Sequence, residues 1–221
     1  MIRCPHCNPL WMGVELAFSA LVIILCLMIF FRTKEMYKLT KHKGISYFRY
    51  TFLFFALAFL FRFAFHLFSI SGMVFDFMFP RPIIGPLPLL FTSYFSTVAI
   101  LYLLMSLLWK SVNTEHFLAV THVVALSVAV LAFLFRLAPV ICLIQLLIIV
   151  ATLVLAYVKS RHSKGFSRLF IIYALLFVGW VANVFVMSPG WRIPFGVNVV
   201  SYAVSAAVFG LIFYKVYRWT K

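Results

Sequence analysis

The chain has 221 residues, of which 66% are hydrophobic and 10% charged, with a formal net charge of +15. Soluble domains carry about 25% charged residues, so this composition, with a mean hydropathy of +1.12, excludes an ordinary soluble domain and leaves an integral, multi-pass membrane protein. Only four residues are acidic, which also leaves little material for acid–base catalysis.

Apolar runs of spanning length, about 17 to 25 residues, occur in chain order at 10–31, 46–70, 85–109, 116–135, 138–158, 167–188 and 195–217. The first is longer than the ~7–15-residue apolar core of a signal peptide, so it is read as a retained span. A basic connection over 32–45 follows, with Arg32, Lys34, Lys38, Lys41 and Lys43, and Arg49 lies just beyond it. Lys110 lies in the third connection, Lys159, Arg161, Lys164 and Arg168 surround the fifth, and Lys215, Arg218 and Lys221 form the tail. The alternate ends carry only Arg3, Arg81, Arg136 and Arg192. The positive-inside rule then puts the N-terminus outside and the C-terminus in the cytoplasm, as an odd number of crossings requires. The expected fold is all-α with seven transmembrane helices in the cell membrane. The basic side meets anionic lipid headgroups, which accounts for the charge without nucleic acid.

An internal repeat organises the spans. The stretch "KHKGISYFRYTFLFFALAFLFR" from Lys41 to Arg62 is similar to "SRHSKGFSRLFIIYALLFVGWVAN" from Ser160 to Asn183. Aligning Lys43-Gly44 with Lys164-Gly165 sets Phe59 against Trp180 and Arg62 against Asn183. A proline-containing outer loop follows each, then a span with a Ser-Tyr pair, Ser93-Tyr94 and Ser201-Tyr202. The single membrane domain, 1–221, thus divides into a three-helix unit at 10–109, a linker helix at 116–135 and a second three-helix unit at 138–217. Both units start outside, so they are parallel repeats related by an axis along the membrane normal.

This 3+1+3 layout resembles the SWEET and PQ-loop transporters of sugars and amino acids, and the resemblance implies a substrate pocket between the two triplets. No Pro-Gln pair occurs in spans one and five, so the layout carries over and the substrate does not. Seven-helix retinal proteins need a lysine deep in the last helix; here Lys215 sits at its cytoplasmic end, and retinal is not expected.

Depth brings polar residues to one level. At about 1.5 Å per residue, Arg62 lies roughly 6 Å outward of the middle of its span and Glu15 and Asn183 roughly 8 Å outward of theirs. Ser93, Tyr94, Ser201 and Tyr202 fall roughly 5 to 8 Å outward by the same count. Ionisable side chains in membrane helices face the bundle interior or a wet cavity and find a partner. Glu15 is the sole carboxylate within a span and Arg62 the sole arginine deep in one, so they should pair, with His66 one helical turn beyond. Two readings follow. In the first, Glu15, Arg62, His66, Trp180 and Asn183, joined by the two Ser-Tyr pairs, form an outward pocket for a small solute, in transport or sensing. In the second, the same groups hold helices together in a structural or assembly subunit. His122 and Gln145 are read as helix–helix contacts. Small residues in "TSYFSTVA" and "SYAVSAAVFG" permit close helix approach and would suit a homo- or hetero-oligomer.

A third reading rests on "CPHC" before the first span. Cys4, His6 and Cys7 would serve as a disulfide, a thiol-redox pair or one half of a zinc site, since structural zinc takes four ligands and a second C-x-x-C is absent. No H-E-x-x-H, phosphate-binding glycine loop or nucleophilic serine motif points to an enzyme.

Overall fold

The computed structural model describes residues 9–74, 86–135, 138–161, 167–187 and 195–220. They form seven α-helices: α1 (Pro9–Thr40), α2 (Lys43–Val74), α3 (Leu87–Leu108), α4 (Thr114–Phe135), α5 (Ala138–Arg161), α6 (Ser167–Met187) and α7 (Phe195–Thr220). Among the described residues there is no strand. Six helices, α1 to α5 and α7, are long and apolar enough to cross a bilayer, and α6 carries a described apolar stretch over Phe170–Asn183. The protein is an all-α, multi-pass membrane protein.

The first basic connection is shorter than its charge suggested. Where a loop was expected over 32–45, α1 runs on to Thr40 and α2 begins at Lys43. Nothing in "RTKEMYKLT" breaks a helix, and Arg32 pairs with Glu35 at 3.3 Å, three residues on, a spacing that supports a helix. Each of these helices has 32 residues, about 48 Å of rise against a hydrocarbon core of about 30 Å. The basic ends of both therefore stand clear of the apolar layer. Lys41 turns the chain with a left-handed φ of 49°, and its N–H donates to the Tyr37 carbonyl at 2.8 Å. At the start of α3, Pro86 and Pro88 sit where a helix has no use for their missing N–H groups.

Six helices close a ring. α1 packs against α2 and α7, α2 against α3, α3 against α5, α5 against α6, and α6 against α7. The linker α4 lies outside it, against α3 with a marginal contact to α5, and exposes Val120, Val123, Leu126, Leu131 and Leu134. The ring is filled mainly by aromatic and branched side chains, among them Phe18, Val22, Phe52, Phe55, Phe59, Leu103, Ile172, Trp180, Phe209 and Ile212. Their rings meet edge to face, the arrangement aromatic quadrupoles favour: Phe18 on Phe59 at 5.7 Å and 80°, and Phe59 on Phe209 at 6.2 Å and 87°. Phe61 instead stacks between Phe91 and Phe95 at 4.7 and 5.2 Å, which fastens α2 to α3.

Lipid tails are as apolar as these side chains, so close packing and hydrogen bonds must select helix neighbours. Two glycines allow close approaches. A Cβ on Gly179 would stand 3.1 Å from Val208 of α7, and one on Gly44 would stand 3.0 Å from the Ser106 carbonyl oxygen, from His42 and from Trp109. A Cβ on Gly210 would meet nothing within 4 Å. Gly44→Ala should therefore cost about 1–3 kcal/mol, while Gly210→Ala should be neutral or slightly stabilising. Thermal unfolding of the purified variants checks this; equal effects would contradict the tight packing assigned to Gly44.

Candidate functional site

Away from the basic ends, Arg62 reaches Glu15 across the α1–α2 interface. Its Nε donates to Glu15 Oε1 at 2.9 Å, and its Nη2 donates to the same oxygen and to the Tyr202 hydroxyl of α7, the latter at 3.3 Å. His66 Nε2 stands 3.0 Å from that carboxylate oxygen. The side chains of Arg62 and Glu15 are 11% and 9% exposed and that of His66 28%. One carboxylate oxygen thus gathers an arginine and a histidine, and a third helix is tied in through the arginine. Arg62 Nη1 is buried without a partner among the described residues, so the cluster keeps an unused donor.

The other residues expected at this level belong to separate contacts. Asn183 Nδ2 donates to Ser205 Oγ of α7 and to the Gly179 carbonyl, both at 2.9 Å. Trp180 lies tilted against Phe55, ring centroids 6.0 Å apart, and its Nε1 and Asn183 Oδ1 are buried without partners among the described residues. Together with Phe55, Phe59 and Phe209 they border a void of about 10 Å³, the size of one water. Ser93 is buried and its carbonyl accepts from Ser96; Ser201 bonds back to Val197. Tyr94 turns outward, its hydroxyl 3.0 Å from His122 Nδ1 of the linker α4. Gln145 of α5 donates to Ser96 and Thr97 of α3 at 2.7 and 2.9 Å. A common depth therefore did not mean a common face: Glu15, Arg62, His66 and Tyr202 come together, and Asn183, Trp180, Tyr94, Ser93 and Ser201 do not join them.

At the basic end lies a cavity of about 330 Å³ that no single sequence motif marked. Its lining comes from all six ring helices and their ends: Thr33 and Met36, Gly44 and Phe48, Ser106 and Trp109, Lys159, Tyr173, and Val216 and Trp219, with His42 and Lys110 at turns. It therefore sits on the ring axis. Lys159 Nζ donates to the Leu107 carbonyl at 2.6 Å, near the end of α3. The Ser106 and Tyr173 hydroxyls lie 2.6 Å apart and link α3 to α6 across the axis. His42 meets Trp109 edge-on at 4.7 Å, and Lys110 Nζ lies over the Trp109 ring at 5.4 Å.

Comparison with known proteins adds one relative. The chain is 33% identical over 221 residues to an uncharacterized protein of the archaeon Archaeoglobus fulgidus, an alignment covering 97% of this chain and 96% of the relative. The chain belongs to that protein's family. No family model matches it, and no solved structure does. The match runs over nearly the whole length of both chains.

Cys4, His6 and Cys7 lie outside the described residues. Among the described residues no group of three His, Cys, Asp or Glu side chains could hold a metal, and Cys26 and Cys142 are buried in α1 and α5.

Breaking a buried ion pair by removing one partner costs about 3–5 kcal/mol, whereas replacing both by apolar residues of similar size is often neutral. Glu15→Leu and Arg62→Met should each destabilise strongly, and the double variant should recover most of the loss. Additive losses in a double-mutant cycle of thermal or denaturant unfolding would show that the two side chains act independently.

Proposed function

We propose that this membrane protein is a small-solute carrier in which the α1–α3 unit rocks against the α5–α7 unit around an axial binding cavity. The observation that carries the reading is the cavity of about 330 Å³ lined by all six ring helices and not by α4. A pocket shared by two halves changes shape when one half moves against the other. Its volume lies in the range of small-molecule sites, about 300–1,000 Å³.

The helix contacts support two equivalent halves. The contacts of α1 with α2 and α2 with α3 correspond to those of α5 with α6 and α6 with α7, and the ring closes at α3–α5 and α7–α1. Residues matched by the internal repeat occupy matching positions: Phe52 and Tyr173, Phe55 and Leu176, and Phe59 and Trp180 are all buried. The resemblance of the 3+1+3 layout to SWEET and PQ-loop transporters supports the same reading. On this reading the Glu15–Arg62–His66–Tyr202 cluster is a latch joining α1 and α2 of one half to α7 of the other. The positive-inside rule places the cavity at the cytoplasmic face and the latch towards the outside, and the solute site moves from the latch level to the basic end.

The test is flux through the protein reconstituted in liposomes, measured as charge displacement or isotope uptake for small organic anions, cations and sugars. Wild-type protein should move at least one class. Ile45→Trp, which fills the cavity, should lower that flux about tenfold or more, equivalent to at least ~1.4 kcal/mol, while the protein stays folded. Folded wild-type protein that neither binds nor moves any of them would overturn the carrier reading and favour a structural subunit.

A further inference from the structure

We propose that the axial cavity binds a phosphate-type oxyanion attached to an apolar body, supplied by a membrane lipid headgroup or by a free amphiphilic solute. The location rests on the cavity described above; the ligand class is a separate inference from its chemistry.

Charge comes first. Lys110, Lys159 and His42 line the cavity, and none of its lining residues among the described ones is acidic. The surrounding helix ends add Lys38, Lys41, Lys43, Lys215 and Arg218; of the two carboxylates at the same end, Glu35 is engaged by Arg32 and Glu115 lies in the first turn of α4 outside the cavity lining. A cleft of one sign with low-dielectric walls focuses its field on whatever enters, so this one selects anions. Lys110 and His42 bring several donors to the cavity, beside the Lys159 ammonium that already donates to the Leu107 carbonyl, and a group with several charged oxygens suits such a set better than a single carboxylate.

Shape gives the second half of the ligand. The apolar walls are Ile45, Phe48 and Val216 with the indoles of Trp219 and of Trp109, the latter under Lys110 Nζ. A bare inorganic ion would leave these surfaces bordering water; an alkyl or aromatic body covers them. Trp109 and Trp219 also close their helices at the membrane edge, the level where tryptophans anchor among headgroups. An oxyanion held at the rim with its apolar part over Phe48 satisfies both surfaces together.

The test uses the full-length protein in phosphatidylcholine nanodiscs, titrated with hexyl phosphate, with hexyl glucoside as the neutral probe and hexyltrimethylammonium as the cationic one. Binding is read by tryptophan fluorescence and thermal stability. Hexyl phosphate should saturate and raise the melting temperature, as selective binding to the native state does, and the other two probes should not. Lys110→Gln, a change at an exposed position, should weaken it about tenfold, and Lys110→Gln with Lys159→Gln should weaken it further. Nanodiscs containing phosphatidylglycerol separate the sources. A raised melting temperature with loss of the hexyl phosphate response assigns the site to lipid; an unchanged response assigns it to a free solute. Equal or tighter binding of the neutral or cationic probe, or hexyl phosphate binding indifferent to Lys110→Gln, would overturn the proposal. Hexyl phosphate binding without flux of any solute would sink the carrier reading and leave this inference standing; flux of a non-phosphate solute without hexyl phosphate binding would do the reverse.

Discussion

A guanidinium inside an apolar bundle keeps its charge and must be held by something. Arg62 is the deep arginine of this chain, and Glu15 is the carboxylate that answers it. Their contact fixes the rotation of α1 against α2, because a turn of either helix about its axis would leave a charge facing lipid or packed hydrocarbon. Through the Tyr202 hydroxyl the same guanidinium reaches α7. The ring is thereby closed at its α7–α1 seam by a polar contact, and the aromatic filling behind it is held in one register.

The remaining seams follow the same logic with neutral groups. In lipid, apolar surface does not discriminate one helix from another, so hydrogen bonds and close approaches specify the neighbours. Gln145 joins α5 to α3, Asn183 joins α6 to α7 beside the Gly179–Val208 contact, and Tyr94 holds the linker α4 by His122. Ser106 and Tyr173 cross the axis from α3 to α6. Around them Phe18, Phe55, Phe59, Trp180 and Phe209 pack the middle of the ring, leaving a void of only about 10 Å³ there.

Much of this was legible in the residues themselves. The helices follow from hydropathy, and the Glu15–Arg62 partnership from the scarcity of charge: with one carboxylate and one deep arginine within the spans, the choice was small. His66 followed from its four-residue spacing. What failed was the step from depth to contact. Asn183 and Trp180 stand near Arg62 in depth, but rotation about α6 turns Asn183 to Ser205 and sets Trp180 beside Phe55. Depth is countable along a sequence; rotation about the axis depends on neighbours. The helical run through 32–40 was hidden by its charge, which marks the end of an apolar layer and not the end of a helix. The basic-end cavity was least legible because Thr33, Ser106, Lys159 and Tyr173 are each ordinary and lie on four helices. Its faint signals were the Lys43-Gly44 pair and the tryptophans closing spans three and seven.

The carrier reading requires that the two halves enclose a water-accessible cavity on the ring axis at the basic end. Single cysteines at Met36, Ser106 and Val22, in protein otherwise free of cysteine, test it by labelling with a membrane-impermeant thiol reagent applied to each side of sealed vesicles. Met36 and Ser106 border the cavity, and Val22 lies in the packed core. Labelling should be rapid at 36 and 106 from the side bearing the basic ends, and absent at 22 from either side. Protection of position 106 from both sides in folded protein would contradict it.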